Sequence, residues 1–155
     1  MKKWKSAVLI LLAVLLLSPY VLGIAFFVVM GIISDDRADK TEIIAYVEEN
    51  RADLLTYIQK EDFSALDGHP MIKKIDADDD VVDFYCGGAG FGSATAYCGF
   101  YYTAEDDIRA IWCAPKYGEK MIECGDGFLW QQEDGDNQYY TEEICDGFYY
   151  YEASY

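Results

Sequence analysis

The sequence predicts an α+β protein carried on an N-terminal transmembrane helix, with one amphipathic helix followed by an antiparallel β-meander sheet. Three features carry that expectation. Residues 7–33 form a run of 27 uncharged residues. Residues 39–60 repeat apolar side chains at helical spacing. From residue 71 onward, short aromatic and β-branched runs alternate with Gly- and Asp-rich breaks.

The first run is long enough to cross a hydrocarbon core of about 30 Å with tilt to spare. Lys2, Lys3 and Lys5 precede it and Asp35 and Asp36 follow it, which predicts that residues 1–6 are cytoplasmic and residues 34–155 lie outside a cell membrane crossed once. The bilayer is thus one expected partner. A cleaved signal peptide with a Val21-Leu22-Gly23 site is the rival, but apolarity continues well beyond the roughly 7–15 residues of a signal core. Uncleaved, the run is a signal-anchor.

Beyond the span, Ile43, Ile44, Val47, Leu54, Leu55 and Ile58 draw one stripe along a helix over 39–60, with Thr41 able to cap it. A connector rich in turn formers, residues 61–70, leads to the strand runs MIKKI, VVDFYC, TAYCGFYY, IRAIWC, MIEC, FLWQQ and FYYYEA. The gaps between them are too short for crossover helices, so pairing is expected to be antiparallel. The helix should cover one face of the sheet.

Charge limits the partners. Residues 34–155 hold nine basic against 28 acidic residues, a formal charge of −19. Such a field repels nucleic acid and favours cations, basic peptides or basic proteins. Aromatic residues make up 16% of the chain, which argues for a packed core rather than disorder.

The chemistry-bearing residues do not converge on a reaction. His69 is the one histidine, and Ser64 and Ser93 lack a nucleophile motif. No nucleophile, base and orienter can be named together, so the chain is read as a non-enzyme with no cofactor and no catalytic residues. Asp76 to Asp80 begins like a calcium loop, but Val81 and Gly87 stand where its glycine and bidentate glutamate belong, so no metal site is assigned. Cys86 and the glycines after it lack the Lys-Ser/Thr ending and following helix of a phosphate loop. Cys86, Cys98, Cys113, Cys124 and Cys145 are expected to supply one or more disulfides outside the membrane, with one residue odd and the connectivity open. For binding, Tyr97, Tyr101, Tyr149 and Tyr151 alternate with Phe100 and Tyr150 along their strands, so one set faces the core and the other is available as a recognition surface.

Phe84-Tyr85-Cys86-Gly87-Gly88-Ala89-Gly90, Tyr97-Cys98-Gly99-Phe100-Tyr101-Tyr102, Asn137-Gln138-Tyr139-Tyr140 and Phe148-Tyr149-Tyr150-Tyr151-Glu152-Ala153 resemble a group of small, uncharacterised, membrane-anchored proteins of Gram-positive bacteria. The likeness covers roughly residues 81–155. It implies an address and no activity. It also implies that Cys86 is the shared cysteine and that the other four are additions of this sequence. The functional expectation is a surface protein whose acidic, Tyr-rich ectodomain binds a cationic polypeptide. The alternatives are a small immunity or inhibitor protein against a cationic toxin, and a cell-wall glycan hydrolase using acidic residues.

Overall fold

The computed structural model describes residues 18–26, 28, 35–78, 80–91, 94–105 and 107–155. The chain divides between residues 34 and 35 into two units. In the first, residues 18–26 and 28 are helical, with Tyr20, Val21, Leu22, Ile24 and Val28 exposed. No helix among the described residues is long and apolar enough to cross a membrane. The span expected at 7–33 lies mostly outside the described residues.

The second unit is α+β. Helix α1 (Lys40–Lys60) is followed by a 3₁₀ turn (Ser64–Leu66) and by β1 (Lys74–Ala77), β2 (Val81–Phe91), β3 (Ala94–Thr103), β4 (Ile122–Cys124), β5 (Gly127–Gln131), β6 (Gln138–Cys145) and β7 (Phe148–Ser154). Asp39, not Thr41, caps α1: its carboxylate accepts the Thr41 N–H at 2.8 Å. An acid there also suits the positive end of the helix. Ile43, Val47 and Leu54 are fully buried, while Ile44, Leu55 and Ile58 are half-buried, as the stripe requires. At the other end Glu61 takes a left-handed conformation (φ 50°), so that the Glu61 and Asp62 amides reach Ile58 O and Tyr57 O. His69 is used structurally, its Nδ1 accepting the Met71 and Ile72 amides at 3.3 Å as the chain turns towards β1.

The sheet has seven strands in the order β1-β2-β3-β7-β6-β5-β4, and every pairing is antiparallel. It is not the single meander expected. The chain leaves β3, crosses to the far edge through residues 104–121, and meanders back, so that its last strand lies in the middle against β3.

That crossing segment changes the fate of the tyrosines. On one face α1 covers Phe84, Cys86, Cys98, Phe100, Phe148 and Tyr150. On the other, Ile108, Ala110, Ile111, Cys113 and Ala114 of the crossing segment cover Tyr101, Tyr139, Tyr149, Tyr151 and Ala153. Both alternating sets are therefore core. Tyr101, Tyr149 and Tyr151, expected as a recognition surface, are only 0%, 2% and 0% exposed.

The cysteines divide between the two faces and the rim. Cys86 and Cys98 are buried under α1, Cys113 belongs to the crossing segment and is buried against the sheet, Cys145 is half-buried, and Cys124 is exposed on the edge strand. All five are free thiols, contrary to the expected bridges. The Cys86 and Cys98 thiols donate to the carbonyls of Phe84 (3.4 Å) and Ala38 (3.7 Å).

The outer edge of β2 is covered twice. β1 pairs with Val82 to Tyr85, and beyond a bulge at Tyr85/Gly87 the segment before α1 takes over. The Asp36 amide bonds to Gly88 O (3.1 Å), the Gly88 amide to Asp36 Oδ1 (2.8 Å), and the Ala38 amide to Cys86 O (3.1 Å). Gly87 sits at φ +126° with the space for a Cβ already taken, Asp36 O being 2.3 Å from where it would stand. The Cys86-Gly87-Gly88 motif is thus a docking groove for residues 36–38. Gly87→Ala is expected to lower stability by about 3 kcal/mol in denaturant unfolding. Gly118→Ala, also at positive φ (99°) but in open space, should cost about 1 kcal/mol. Equal losses would mean that Asp36 simply gives way.

Candidate functional site

One buried carboxylate stands out on the face covered by the crossing segment. Asp83 of β2 is 6% exposed, its Oδ1 accepting the Tyr151 hydroxyl at 3.0 Å and its Oδ2 the Trp112 indole N–H at 3.1 Å. None of the ion pairs among the described residues involves it. Burial pushes its pKa up to about 6, although the Tyr151 and Trp112 bonds favour the charged form. Burial also drives the Tyr151 hydroxyl and the Cys113 thiol far upward, and the charge of Asp83 adds to both. A thiol held protonated is no nucleophile. The cluster works as a latch, in which Asp83 holds Trp112 and with it the crossing segment.

The same segment is tied down at other points. Tyr139 donates to Ile108 O (3.2 Å) and Tyr155 to Cys113 O (2.6 Å). Arg109 gathers the carbonyls of Pro115, Lys116 and Glu119 at 2.7–3.2 Å, which serves the backbone of a stretch without a ladder of its own.

On the α1 face, Glu142 is nearly buried and accepts from Lys40 Nζ at 2.7 Å and from the Tyr140 hydroxyl. Lys40 also lies 4.7 Å from the Tyr140 ring centroid and 5.5 Å from that of Tyr150. Partial burial opposes its charge, but the bonds to Glu142 and Tyr140 outweigh it and raise its pKa. This arrangement clamps the start of α1 to β6 and β7. Beside it an open cleft of about 320 Å³ is lined by Asp35, Arg37, Lys40, Cys98, Tyr150 and Glu152. Arg37 there is engaged by Asp35 (3.1 Å) and Glu152 (3.3 Å).

Of the four tyrosines singled out in the sequence, Tyr97 alone is half-exposed. It belongs to an aromatic surface that the sequence reading missed. Its ring centroid lies 6.3 Å from Tyr85, 5.9 Å from Trp112 and 6.5 Å from Tyr155. Trp112 is 65% exposed. The available signal was Asp83 itself, an acid within the otherwise apolar run Val81-Val82-Asp83-Phe84-Tyr85-Cys86.

A second feature arises from topology. The register brings four connections to one end of the sheet: β1–β2, the exit from β3, β4–β5 and β6–β7. They carry Asp78 and Asp80, Glu105 and Asp107, Asp126, and Asp146. Arg51 pairs with Asp146 at 3.1 Å. The would-be calcium loop closes as a hairpin turn, Asp78 N to Val81 O at 2.9 Å. Among the described residues no group of three or more His, Cys, Asp or Glu side chains is placed to hold a metal ion.

No family model matches the chain, and no curated protein or solved structure is significantly similar to it.

The Asp83 latch makes a signed pH prediction. Its folded pKa, about 6, lies above the unfolded value of 3.8, so the folded state holds the extra proton. The resulting stability is fully present below pH 3.8 and is lost as pH rises through 6, a change of about 3 kcal/mol. Asp83→Asn retains an acceptor for Trp112 and offers an N–H to the Tyr151 oxygen. Its stability relative to the unsubstituted protein should therefore grow by about that amount between pH 4 and pH 7, read from urea unfolding at each pH. A constant difference would mean that Asp83 does not titrate in this range.

Proposed function

We propose that this chain is a single-pass membrane protein whose acidic extracytoplasmic domain captures a cationic polypeptide. The observation that carries the reading is the acidic end of the sheet, where the connections from otherwise separate strands contribute Asp78, Asp80, Glu105, Asp107, Asp126 and Asp146. Of the domain's bases, Arg51 offsets Asp146 at this end, while Arg37, Lys40 and Lys74 are in ion pairs with other acids of the fold. At physiological salt, attraction between exposed charges is screened beyond about 8 Å, so a ligand recognised this way must lie directly on the carboxylates. A flexible basic segment can do that.

The membrane part of the reading is supported by the uncharged run at 7–33 and by the exposed Tyr20, Val21, Leu22, Ile24 and Val28 of the helical residues within it. Lipid would cover those side chains. The resemblance to membrane-anchored proteins of Gram-positive bacteria points the same way.

Two measurements test the proposal. In protoplasts of a bacterium expressing the full chain, added protease should remove residues 35–155, and full protection would refute the outward placement. Immobilised full-length protein in detergent should retain a hexa-arginine peptide at low salt and release it at several hundred millimolar. The combined Asp78→Asn, Asp80→Asn, Asp126→Asn protein should bind it at least about fivefold more weakly, on the order of 1 kcal/mol for the lost charges. Retention indifferent to both salt and these changes would leave the acidic end as a solubility feature.

A further inference from the structure

We propose that Tyr85, Tyr97, Trp112 and Tyr155 form a preorganised aromatic face that receives a cationic side chain, arginine or lysine, of the partner polypeptide. The inference rests on the binding function proposed above and supplies the contact that charge alone does not specify.

The rings are held before any ligand arrives. Trp112 is fixed at its indole N–H by Asp83 Oδ2 (3.1 Å), and Tyr97 meets it edge-on at an interplanar angle of 69°. Tyr155 is fixed at both ends: its backbone exchanges two 2.8 Å hydrogen bonds with Thr95, and its hydroxyl donates to Cys113 O at 2.6 Å. Tyr85 packs over Gly88, whose missing Cβ would stand 2.6 Å from the Tyr85 hydroxyl. Despite these anchors Trp112 is 65% exposed, while Tyr85, Tyr97 and Tyr155 are half-exposed. A fixed aromatic ring left in solvent loses little entropy on binding.

Charge complementarity selects the occupant. Asp76 is the cross-strand partner of Asp83 and lies on the same side of the sheet, and Asp36 comes close enough to Tyr85 to help burial raise its hydroxyl pKa. Lys74, across from Tyr85, is engaged by Asp76. A cation on this face would interact with the ring quadrupoles and, beside Tyr85, with Asp36, Asp76 being already engaged by Lys74. The fold uses the same chemistry internally, where Lys40 rests over Tyr140 and Tyr150 beside Glu142. Asp83, which holds Trp112, is two residues from the start of β2 at the acidic end, whereas Tyr97 and Tyr155 lie towards the opposite end of the sheet, so a bound chain would have to run along the face to meet both.

The test is fluorescence anisotropy of a labelled hexa-arginine peptide, and of its uncharged hexa-citrulline counterpart, with the full-length protein in detergent at low salt. Trp112→Leu should weaken hexa-arginine binding about tenfold and Trp112→Phe, which keeps a π face, by less than about threefold. Tyr97→Leu leaves the Asp83 bond intact, so its expected loss of about threefold guards against an effect of loosening the crossing segment. Hexa-citrulline should bind at least about tenfold more weakly than hexa-arginine. If the unsubstituted protein does not bind hexa-arginine at all, the parent reading fails. If it binds and both Trp112→Leu and Tyr97→Leu bind equally well, this face is overturned and the parent reading stands. Equal binding of the citrulline peptide overturns the cationic occupant, as does a soluble chitin oligosaccharide that quenches Trp112 where the arginine peptide does not.

Discussion

Pairing of the last strand against β3 brings the two most aromatic segments of the chain side by side, Tyr97 to Tyr102 against Phe148 to Ala153. A strand pair of that composition exposes large apolar surface on both faces unless both are covered. Helix α1 covers one, with Ile43, Val47 and Leu54 lying over Phe100, Phe148 and Tyr150. Only the connection from β3 to β4 is available for the other, and so a stretch without regular structure becomes a lid on the sheet.

An irregular lid raises a polar problem that a helix does not, because its backbone groups have no ladder. The abundance of tyrosine over phenylalanine on that face follows from it. Tyr139 and Tyr155 fill core volume and then donate their hydroxyls to lid carbonyls, while Tyr151 donates to Asp83, which in turn holds Trp112 of the lid. Thr141 completes the buried set by donating to Tyr150 O at 2.9 Å. The side chains that build this core are also those that attach the lid, so stability and the placement of Trp112 at the surface have one cause. Asp83 is the expensive member: a buried acid without an ion pair among the described residues works against the fold once ionised, and what it secures in return is the position of the segment above it.

Much of the fold was legible from local pattern. The stripe from Ile43 to Ile58 specified a helix and its buried face, and most of the short aromatic runs became antiparallel strands, but IRAIWC (residues 108–113) forms no strand and β6 was not among the runs picked out. The acidic excess was equally plain, but its concentration at one end was not, since Asp78, Asp107, Asp126 and Asp146 are far apart in sequence and meet only through strand register. The aromatic surface was half legible. Tyr97 was among the residues chosen for exposure, whereas Trp112 and Tyr85 were read only as parts of strand runs and Tyr155 drew no notice.

By itself the sequence determined the helix and most of the strands, the antiparallel sense of the sheet, the face that α1 buries and the sign of the domain's charge, because these depend on side-chain type and on spacings of two to four residues. Only the tertiary structure decided that β7 lies between β3 and β6, that Tyr101, Tyr149 and Tyr151 are core, that Cys86 and Cys98 are thiols beneath the helix, and that Gly87 and Gly88 receive residues 36–38. A strand's alternation states which of its residues share a face, but not which strand lies alongside or what covers that face. The choice depends on contacts between residues tens of positions apart, and it was made where the crossing segment closed over the tyrosines.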